Sequence, residues 1–159
     1  MIKFSNMINE SSNEKFKISI DVHGVIDAIP EFFAFLSNAI INSGGELHII
    51  TGASWNIELE TQIKSYGIRY THKFSVYDHL MQNGTKIVGK VKFPDGTVQN
   101  KFENGKWDMV KADYCLKNGV SLHLDDTMIY NDFFKTPFAR FWSHSGQIKA
   151  SHKSMRHID

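Results

Sequence analysis

Three segments of the chain end in side chains that can hold a cation or a phosphate group through oxygen. Each segment is apolar or alternates apolar and polar residues, as strands do, and the oxygen-bearing side chains follow directly: Asp21 after residues 16–20, Thr51 after residues 47–50, and Asp125 with Asp126 after residues 120–124. In open parallel sheets, ligands bind at the carboxyl ends of the strands. If these strands are neighbours, three carboxylates and a hydroxyl meet in one crevice. This ligand set suits a hard cation, and we expect Mg²⁺.

The segments that must position these side chains alternate between strand and helix patterns. We predict strands over residues 16–20, 47–50, 70–76, 120–124 and 138–142, and helices from Pro30 to about Gly44, from about Ser54 to Tyr66 and from Trp107 to Lys117. An alternating run, a turn at Pro94-Asp95-Gly96 and a returning run predict a β-hairpin over residues 87–102. Together they predict an α/β fold: a Rossmann-like parallel sheet flanked by helices, with the hairpin as a small insertion.

The apolar and neutral side chains inside these elements are expected to form the core. Phe32, Phe33 and Leu36 follow one another at helical spacing and are predicted to be buried. His48 and His123 lie within predicted strands, so packing in the sheet is the expected role for both. Zinc ligation is not expected from the remaining histidines, because His144, His152 and His157 lack the tight spacing of a zinc site.

Length and composition predict a single domain over residues 1–159, with a polar lead-in (1–14) and a tail (143–159). The formal net charge is +1, so no strong global field attracts nucleic acid or lipid. The chain has no run of about 18 apolar residues, the length that a membrane-spanning helix needs. The first residues lack the apolar stretch of a signal peptide. The single Cys115 favours a reducing compartment. We expect a soluble cytoplasmic protein without a membrane partner, of unspecified oligomeric state.

Four segments in order resemble the motifs of the haloacid dehalogenase (HAD) superfamily of phosphatases. The run Asp21-Val22-His23-Gly24-Val25-Ile26-Asp27 is similar to the first motif, Asp-x-Asp-Gly-Thr/Val. The second motif, an apolar strand ending in Thr or Ser, is similar to Ile49-Ile50-Thr51-Gly52. Lys111 resembles the third-motif lysine, and Leu122-His123-Leu124-Asp125-Asp126 resembles the fourth motif. The resemblance covers residues 16–142, most of the chain, and implies a HAD-like fold.

The resemblance also implies roles for the acidic residues. Asp21 would be the nucleophile, attacking phosphorus to give an aspartyl-phosphate. Mg²⁺ would be held by the Asp21 carboxylate, the backbone carbonyl of His23 and Asp126, with Asp125 close by. The chain would then be a Mg²⁺-dependent phosphohydrolase.

The phosphate itself would be bound by groups from other motifs. Thr51 and the Gly52 amide would hold phosphoryl oxygens, and a lysine would balance the charge of the nucleophile and the phosphate. Two lysines are candidates. Lys111 lies fourteen positions before Asp125, which fits the family spacing, whereas Lys106 lies at the predicted start of the same helix and could also point at the strand ends.

His23 departs from the family pattern, in which an aspartate protonates the leaving group and then activates water. An imidazole can do both jobs near neutral pH. It is also bulkier than a carboxylate, and as a cation it could pair with Asp21 and weaken the nucleophile. Two hypotheses follow: a phosphohydrolase that uses His23 as its acid and base, or a non-catalytic HAD-fold module that binds a phosphorylated partner.

Substrate choice in HAD phosphatases depends largely on cap insertions. Only thirty positions separate Asp21 from Thr51, and one predicted helix fills them, so no large cap fits there. The hairpin at residues 87–102 is either a small lid or an extension of the sheet. An open crevice suits a phosphomonoester on a nucleic-acid end or a phosphoprotein, and a small nucleotide could also enter.

Overall fold

A five-stranded sheet forms the centre of the structure, a computed structural model that describes residues 15–92, 96, 98–103 and 105–142. In chain order the elements are β1 (Lys17–Asp21), α1 (Pro30–Asn42), β2 (Glu46–Thr51), α2 (Ile57–Ser65), β3 (His72–Ser75), α3 (Val76–Gln82), β4 (Ile87–Lys92), β5 (Val98–Phe102), α4 (Lys106–Lys117), β6 (Leu122–Asp125) and β7 (Phe138–Arg140). The strand order is β3-β2-β1-β6-β7, and all neighbours are parallel. The predicted α/β fold with a parallel sheet, flanking helices and a small hairpin is confirmed, and it is compatible with a Rossmann-like arrangement.

Three predicted parts of the chain lie wholly or partly outside the described residues: the lead-in (1–14), the tail (143–159) and the hairpin turn, of which Pro94 and Asp95 are not described. The interpretations of these parts therefore stay predictions. Among the helices of the described ranges, none has the length and apolar content needed to cross a membrane.

The central strand, β1, is buried on both of its faces. Ile18 and Ile20 belong to the main hydrophobic cluster, and Ser19 and Asp21, which point to the opposite face, are buried as well. Strands of parallel sheets are covered by helices on both sides. Buried polar side chains need partners, so Ser19 and Asp21 mark a polar layer beneath the helices on that face.

Helix α1 corrects one expectation about the core. It begins at Pro30, whose fixed φ suits a first helical turn, and the chain leaves it through Gly44 at φ +85°. Phe33 is buried against the sheet, and Leu36 packs partly against the same cluster, but Phe32 is 48% exposed. The prediction that Phe32 is a core residue is wrong, because adjacent helical positions point about 100° apart and only one of the two rings can face the sheet.

Two further elements differ from their predicted extent. Helix α2 begins at Ile57, later than the predicted Ser54, because the Asn56 side chain caps it by accepting a hydrogen bond from the Leu59 amide at 2.9 Å. The strand predicted over residues 70–76 ends at Ser75, whose hydroxyl accepts a hydrogen bond from the Asp78 amide at 3.0 Å. This cap starts α3, a helix that the sequence analysis did not predict.

The predicted hairpin is present, and β4 and β5 pair with each other as a separate antiparallel ribbon. The alternative that it extends the main sheet is therefore wrong. Its base is anchored by Phe102, which is buried against Tyr77 of α3 and Trp107 of α4. The ribbon thus projects from the helices that lie beside the carboxyl ends of the strands.

Candidate functional site

The carboxyl ends of β1 and β6 bring the predicted nucleophile and the predicted acidic pair together. The two strands are adjacent, with Ile20 opposite Leu124, so Asp21 and Asp125 end neighbouring strands. Carboxylate oxygens of Asp21, Asp125 and Asp126 all lie within 4.8 Å of one another, and all three residues are buried. The convergence expected from the parallel sheet is therefore present in the structure.

A lysine from α4 lies between two of these carboxylates. Nζ of Lys111 donates hydrogen bonds to Oδ1 of Asp21 at 2.9 Å and to Oδ2 of Asp125 at 2.6 Å, and the side chain is buried. Lys106, the alternative candidate, is exposed at the first residue of the same helix. Of the two lysines that the sequence left open, the structure thus brings Lys111 into the cluster.

The charges in this cluster are unevenly shared. Burial raises the pKa of Asp21 to about 7, although Lys111 acts in the opposite direction. Burial opposes ionisation of Asp125 too, but Lys111 and His123 hold the pKa of that carboxyl well below its usual range. For Lys111 itself, burial disfavours the charge, yet Asp125 and Asp21 raise its pKa well above the usual value. Lys111 and Asp125 therefore form the stable ion pair, and Asp21 is the less compensated of the two carboxylates that Lys111 contacts.

The loop after β1 fits closely around Asp126. Gly24 has φ +84°, a conformation that favours glycine, and a Cβ at this position would overlap the Asp126 carboxylate. The Thr127 hydroxyl lies 3.1 Å from Oδ1 of Asp126, and Nε of Arg140 donates to the Asp126 carbonyl at 3.2 Å. The glycine is required here both by the backbone and by the neighbouring carboxylate.

Thr51 and Gly52 lie at the same edge of the sheet, at the end of β2, which neighbours β1. Thr51 is buried, and its hydroxyl accepts a hydrogen bond from the Ala53 amide at 3.1 Å. A Cβ on Gly52 would lie 3.2 Å from the Trp107 ring, and the Gly52 carbonyl accepts a 3.5 Å hydrogen bond from Gln99 of β5. The hairpin thus reaches the loop that was predicted to bind phosphate.

His23 lies in the loop after β1 and is exposed. The loop also contacts an acidic residue to which the sequence analysis assigned no role. Asp27 accepts a hydrogen bond from the Gly24 amide at 2.6 Å. Burial raises the pKa of Asp27, while the Gly24 amide and the charge of His23 lower it. The signal in the sequence was an acidic residue inside the otherwise apolar run of residues 25–29.

An aromatic residue that sequence reasoning missed lies beside the lysine and is held by a second one. Tyr130, in a short 3-10 turn over Met128–Phe133, is buried, and Nζ of Lys111 lies 4.8 Å from its ring centroid. Nε1 of Trp107 donates to the Tyr130 hydroxyl at 3.2 Å. Burial raises the pKa of Tyr130 to about 12, so the phenol is neutral beside the ion pair. No periodicity marks a 3-10 turn, and the sequence carried no signal for this contact.

A buried polar chain supports Asp125 from within the sheet. Oγ of Ser19 lies 2.7 Å from Nδ1 of His123, and Nε2 of the same ring lies 3.3 Å from Oδ2 of Asp125. The thiol of Cys115 completes the chain, 3.3 Å from Ser19. His123 is thus packed in the sheet, as predicted, and in addition contacts the acidic cluster; Cys115 is buried as well.

The donor set of the cluster consists of carboxylate oxygens, which hard divalent cations such as Mg²⁺ prefer. The three carboxylates carry more negative charge than the one lysine can balance, so a cation of higher charge fits the site electrostatically. Comparison of the chain with protein families, with curated proteins and with solved structures found no match. The function must therefore be argued from the residues themselves.

Proposed function

We propose that this chain is a Mg²⁺-dependent phosphohydrolase of HAD-like type, which cleaves phosphomonoesters through an aspartyl-phosphate on Asp21. The observation that carries the proposal is the position of Lys111, whose ammonium group contacts Asp21 and Asp125 at 2.9 and 2.6 Å at the ends of adjacent strands. A buried carboxylate whose pKa is raised by its surroundings is typical of a functional site.

The first step uses Asp21 as the nucleophile. An ionised carboxylate oxygen of Asp21 forms a bond to phosphorus while the bond from phosphorus to the ester oxygen breaks, and His23 gives its proton to the departing oxygen. Lys111 keeps its charge throughout, because two carboxylates raise its pKa against the effect of burial. It therefore offsets the negative charge that gathers on Asp21 and on the phosphoryl group.

The second step regenerates the carboxylate. His23, now neutral, takes a proton from a water molecule, and the water oxygen attacks phosphorus. The bond between phosphorus and Asp21 breaks, inorganic phosphate leaves, and both side chains return to their starting states. His23 is exposed in the loop after β1, so its ring is open to the solvent from which the attacking water comes.

The groups proposed to bind the cation and the phosphate lie around this centre. Asp21, Asp126 and the backbone carbonyl of His23 would hold Mg²⁺, with Asp125 beside them, and the clustered carboxylate oxygens fit such a cation. When bound, the ion would neutralise phosphate charge and polarise the phosphorus–oxygen bonds. Thr51 and the Gly52 amide, at the end of the neighbouring strand, would hold phosphoryl oxygens.

The substrate proposed is a phosphomonoester on a nucleotide, a nucleic-acid end or a phosphoprotein. Between Asp21 and β2 the chain forms a short 3-10 turn and one α-helix, α1, and the β4–β5 ribbon is the small insertion near the site. Gln99 of this ribbon contacts the Gly52 carbonyl, which favours the ribbon as a small lid over the phosphate loop. Within the described residues, this narrow ribbon is the one insertion beside the phosphate loop, which leaves room for a bulky substrate.

A second candidate is a non-catalytic phosphate-binding module in the same fold. The observation that favours it is His23 itself, an exposed imidazole where the family pattern has an acidic residue. Such a module would bind a phosphorylated partner at the same loops and would not turn it over.

The test is a phosphatase assay with p-nitrophenyl phosphate, nucleotides, 3′- and 5′-phosphorylated oligonucleotides and a phosphopeptide, in Mg²⁺ and in EDTA. We expect turnover in Mg²⁺ only. Asp21→Asn should lower kcat by about 10³-fold or more, since the amide cannot form the acyl-phosphate. Asp113→Asn, the same change at an exposed position of α4, is the matched control and should leave the rate unchanged. Wild-type activity in Asp21→Asn would contradict the assignment.

The two candidate functions are separated by pH–rate curves of the wild type, His23→Ala and His23→Asp. If His23 is the acid and base, the alanine variant should lose about 10²–10⁴-fold in rate, and the aspartate variant should shift the curve toward acid. The binding module predicts an inert wild type that gains activity in His23→Asp. A rate that is the same in all three proteins would exclude a role for the ring.

A further inference from the structure

The opposite end of the sheet carries a second cluster of metal-ligating side chains. Glu46 is the first residue of β2, and His48 lies two residues later, on the same face of the strand. His72 is the first residue of the neighbouring strand β3 and stands directly beside His48 in the parallel register. One carboxylate and two imidazoles are thus adjacent on one face of the sheet.

The ligating atoms of the three residues lie close together. One such atom from each residue falls within 4.8 Å of the other two. Nε2 of His48 is 3.6 Å from Oε2 of Glu46, and Nδ1 of His72 is 4.0 Å from the same oxygen. These separations fit three side chains arranged around a shared centre. They are slightly longer than the distances between ligand atoms around a bound ion.

An independent observation points to a missing ligand. The His48 side chain is 1% exposed, and its Nε2 is buried with no hydrogen-bond partner in the described part of the chain. A buried polar atom in this state requires an explanation. The atom is directed at Glu46, at a distance too long for a hydrogen bond.

The other ring nitrogen of His48 is occupied. Nδ1 lies 2.9 Å from the hydroxyl of Tyr114 on α4. When Nδ1–H donates to this oxygen, Nε2 carries a lone pair, and a lone pair facing a carboxylate oxygen is repulsive until a cation lies between them. Metal-binding histidines are commonly oriented in this way by a partner on the second nitrogen.

The remaining neighbours can adapt to an ion. His72 is half exposed and stacks on His48 with ring centroids 4.2 Å apart, so its ring can rotate without disturbing the core. Glu46 is approached by Lys15 and Lys17 at 3.6 and 3.7 Å, both on flexible side chains. These lysines supply the counter-charge that a bound cation would replace.

We propose that Glu46, His48 and His72 form a binding site for a divalent transition metal, with Zn²⁺ as the ion best suited to two imidazoles and one carboxylate. Nε2 of His48, a ring nitrogen of His72 and a carboxylate oxygen of Glu46 are the protein ligands, and water completes the coordination. The ion joins β2 to the edge strand β3. The site is independent of the proposed phosphatase centre, since His48 and Thr51 are three positions apart along β2, roughly 10 Å of strand.

The experiment is a calorimetric titration of the full chain with Zn²⁺, in excess Mg²⁺ so that the acidic cluster does not compete. Imidazole ¹⁵N resonances are followed in parallel by NMR. We expect one Zn²⁺ to shift Nε2 of His48 and to raise Tm. Tyr114→Phe removes the group that orients His48 and should weaken Zn²⁺ binding roughly 10–100-fold. His72→Ala and Glu46→Gln each remove a direct ligand and should weaken binding by at least that much.

Two controls keep the outcome specific. His79→Ala removes an exposed histidine from α3 and should bind Zn²⁺ as the wild type does. Asp21→Asn should also bind Zn²⁺ normally, so that failure of the phosphatase proposal and failure of this one are distinguished. Unchanged affinity in both His72→Ala and Glu46→Gln, or a His48 resonance that Zn²⁺ does not move, would overturn the proposal.

Discussion

Asp21 and Glu60 are both carboxylates that contact lysine, yet their surroundings act on them in opposite directions. Glu60 of α2 accepts 2.6 Å hydrogen bonds from the Tyr70 hydroxyl and from Nε1 of Trp55, and lysines lie beside it. The hydrogen bonds from Tyr70 and Trp55 lower its pKa to about 2. For Asp21, burial raises the pKa to about 7, and its lysine is shared with Asp125.

The comparison separates a carboxylate whose charge is stabilised by its neighbours from one whose charge is opposed by burial. The neutral donors and the lysines around Glu60 stabilise its negative charge close to the solvent. The ionised form of Glu60 therefore stabilises the fold. Asp21 is deep in the protein among other carboxylates, so its ionised form is held at a cost in free energy. Groups of the second kind gather at functional sites, and substitutions at the two positions should therefore change stability with opposite signs.

The largest effect is expected from removing the lysine. Lys111→Met should lower the free energy of unfolding by about 3–5 kcal/mol at pH 8, because buried carboxylates lose their cation. Lys73→Met removes a half-exposed lysine from Glu60 and should cost no more than about 1 kcal/mol. Urea denaturation of both variants measures the difference. Equal losses would show that the Asp21 cluster is no more dependent on its cation than the surface pair is.

An intermediate effect is expected from Glu60→Gln, a loss of about 1–2 kcal/mol at pH 7. The folded-state pKa of Glu60 is about 2, below the usual 4.5, so the stabilisation is present above pH 4.5 and is lost as the pH falls toward 2. The variant should therefore lose less stability than the wild type on acidification through this range. Glu58→Gln, at an exposed position of the same helix, is the control. A pH dependence unchanged by Glu60→Gln would contradict the assignment.

The smallest effect is expected from Asp21→Asn, a gain of about 1 kcal/mol at pH 8 in EDTA. The folded-state pKa of Asp21 is raised from 3.8 to about 7, so the folded protein holds a proton that the unfolded chain has lost. Wild-type stability therefore falls as the pH rises through this window. The variant lacks this fall, and its advantage in urea should be larger at pH 8 than at pH 5. Destabilisation of the variant at pH 8 would contradict this prediction. It would mean that the attraction between Lys111 and the Asp21 carboxylate outweighs the cost of burying that charge.

The convergence of Asp21 and Asp125 could be predicted because it depends on one general rule. Both residues end an apolar segment, and the ends of neighbouring parallel strands meet at one edge of the sheet. Lys111 was expected from the resemblance to the HAD third motif, whose spacing to the acidic pair it fits, although that spacing did not exclude Lys106. The exclusion comes from the helix, which begins at Lys106 and leaves that side chain in solvent.

Other parts depended on interactions that no local pattern shows. Tyr130 reaches Lys111 from a 3-10 turn without periodicity, and Asp27 is held by the amide of Gly24, a contact set by the loop. Helix α3 follows β3 without an intervening loop, so the apolar residues on both sides of Ser75 resemble one continuous strand. Phe32 and Phe33 have the same hydrophobicity, and only the rotation of α1 decides which of them is buried.

The strand order has a consequence for how the chain is synthesised. The partner strand β2 follows β1 closely in the chain, but the other neighbour of β1, strand β6, begins only at Leu122. If β1, β2 and β3 pair in a nascent chain that ends before α4, the strand that is central in the complete sheet lies at the open edge. Such an edge is a template for pairing with another chain. Slow elongation through residues 87–121 would prolong this vulnerable state, and it is the stage at which a ribosome-associated chaperone would protect the chain most.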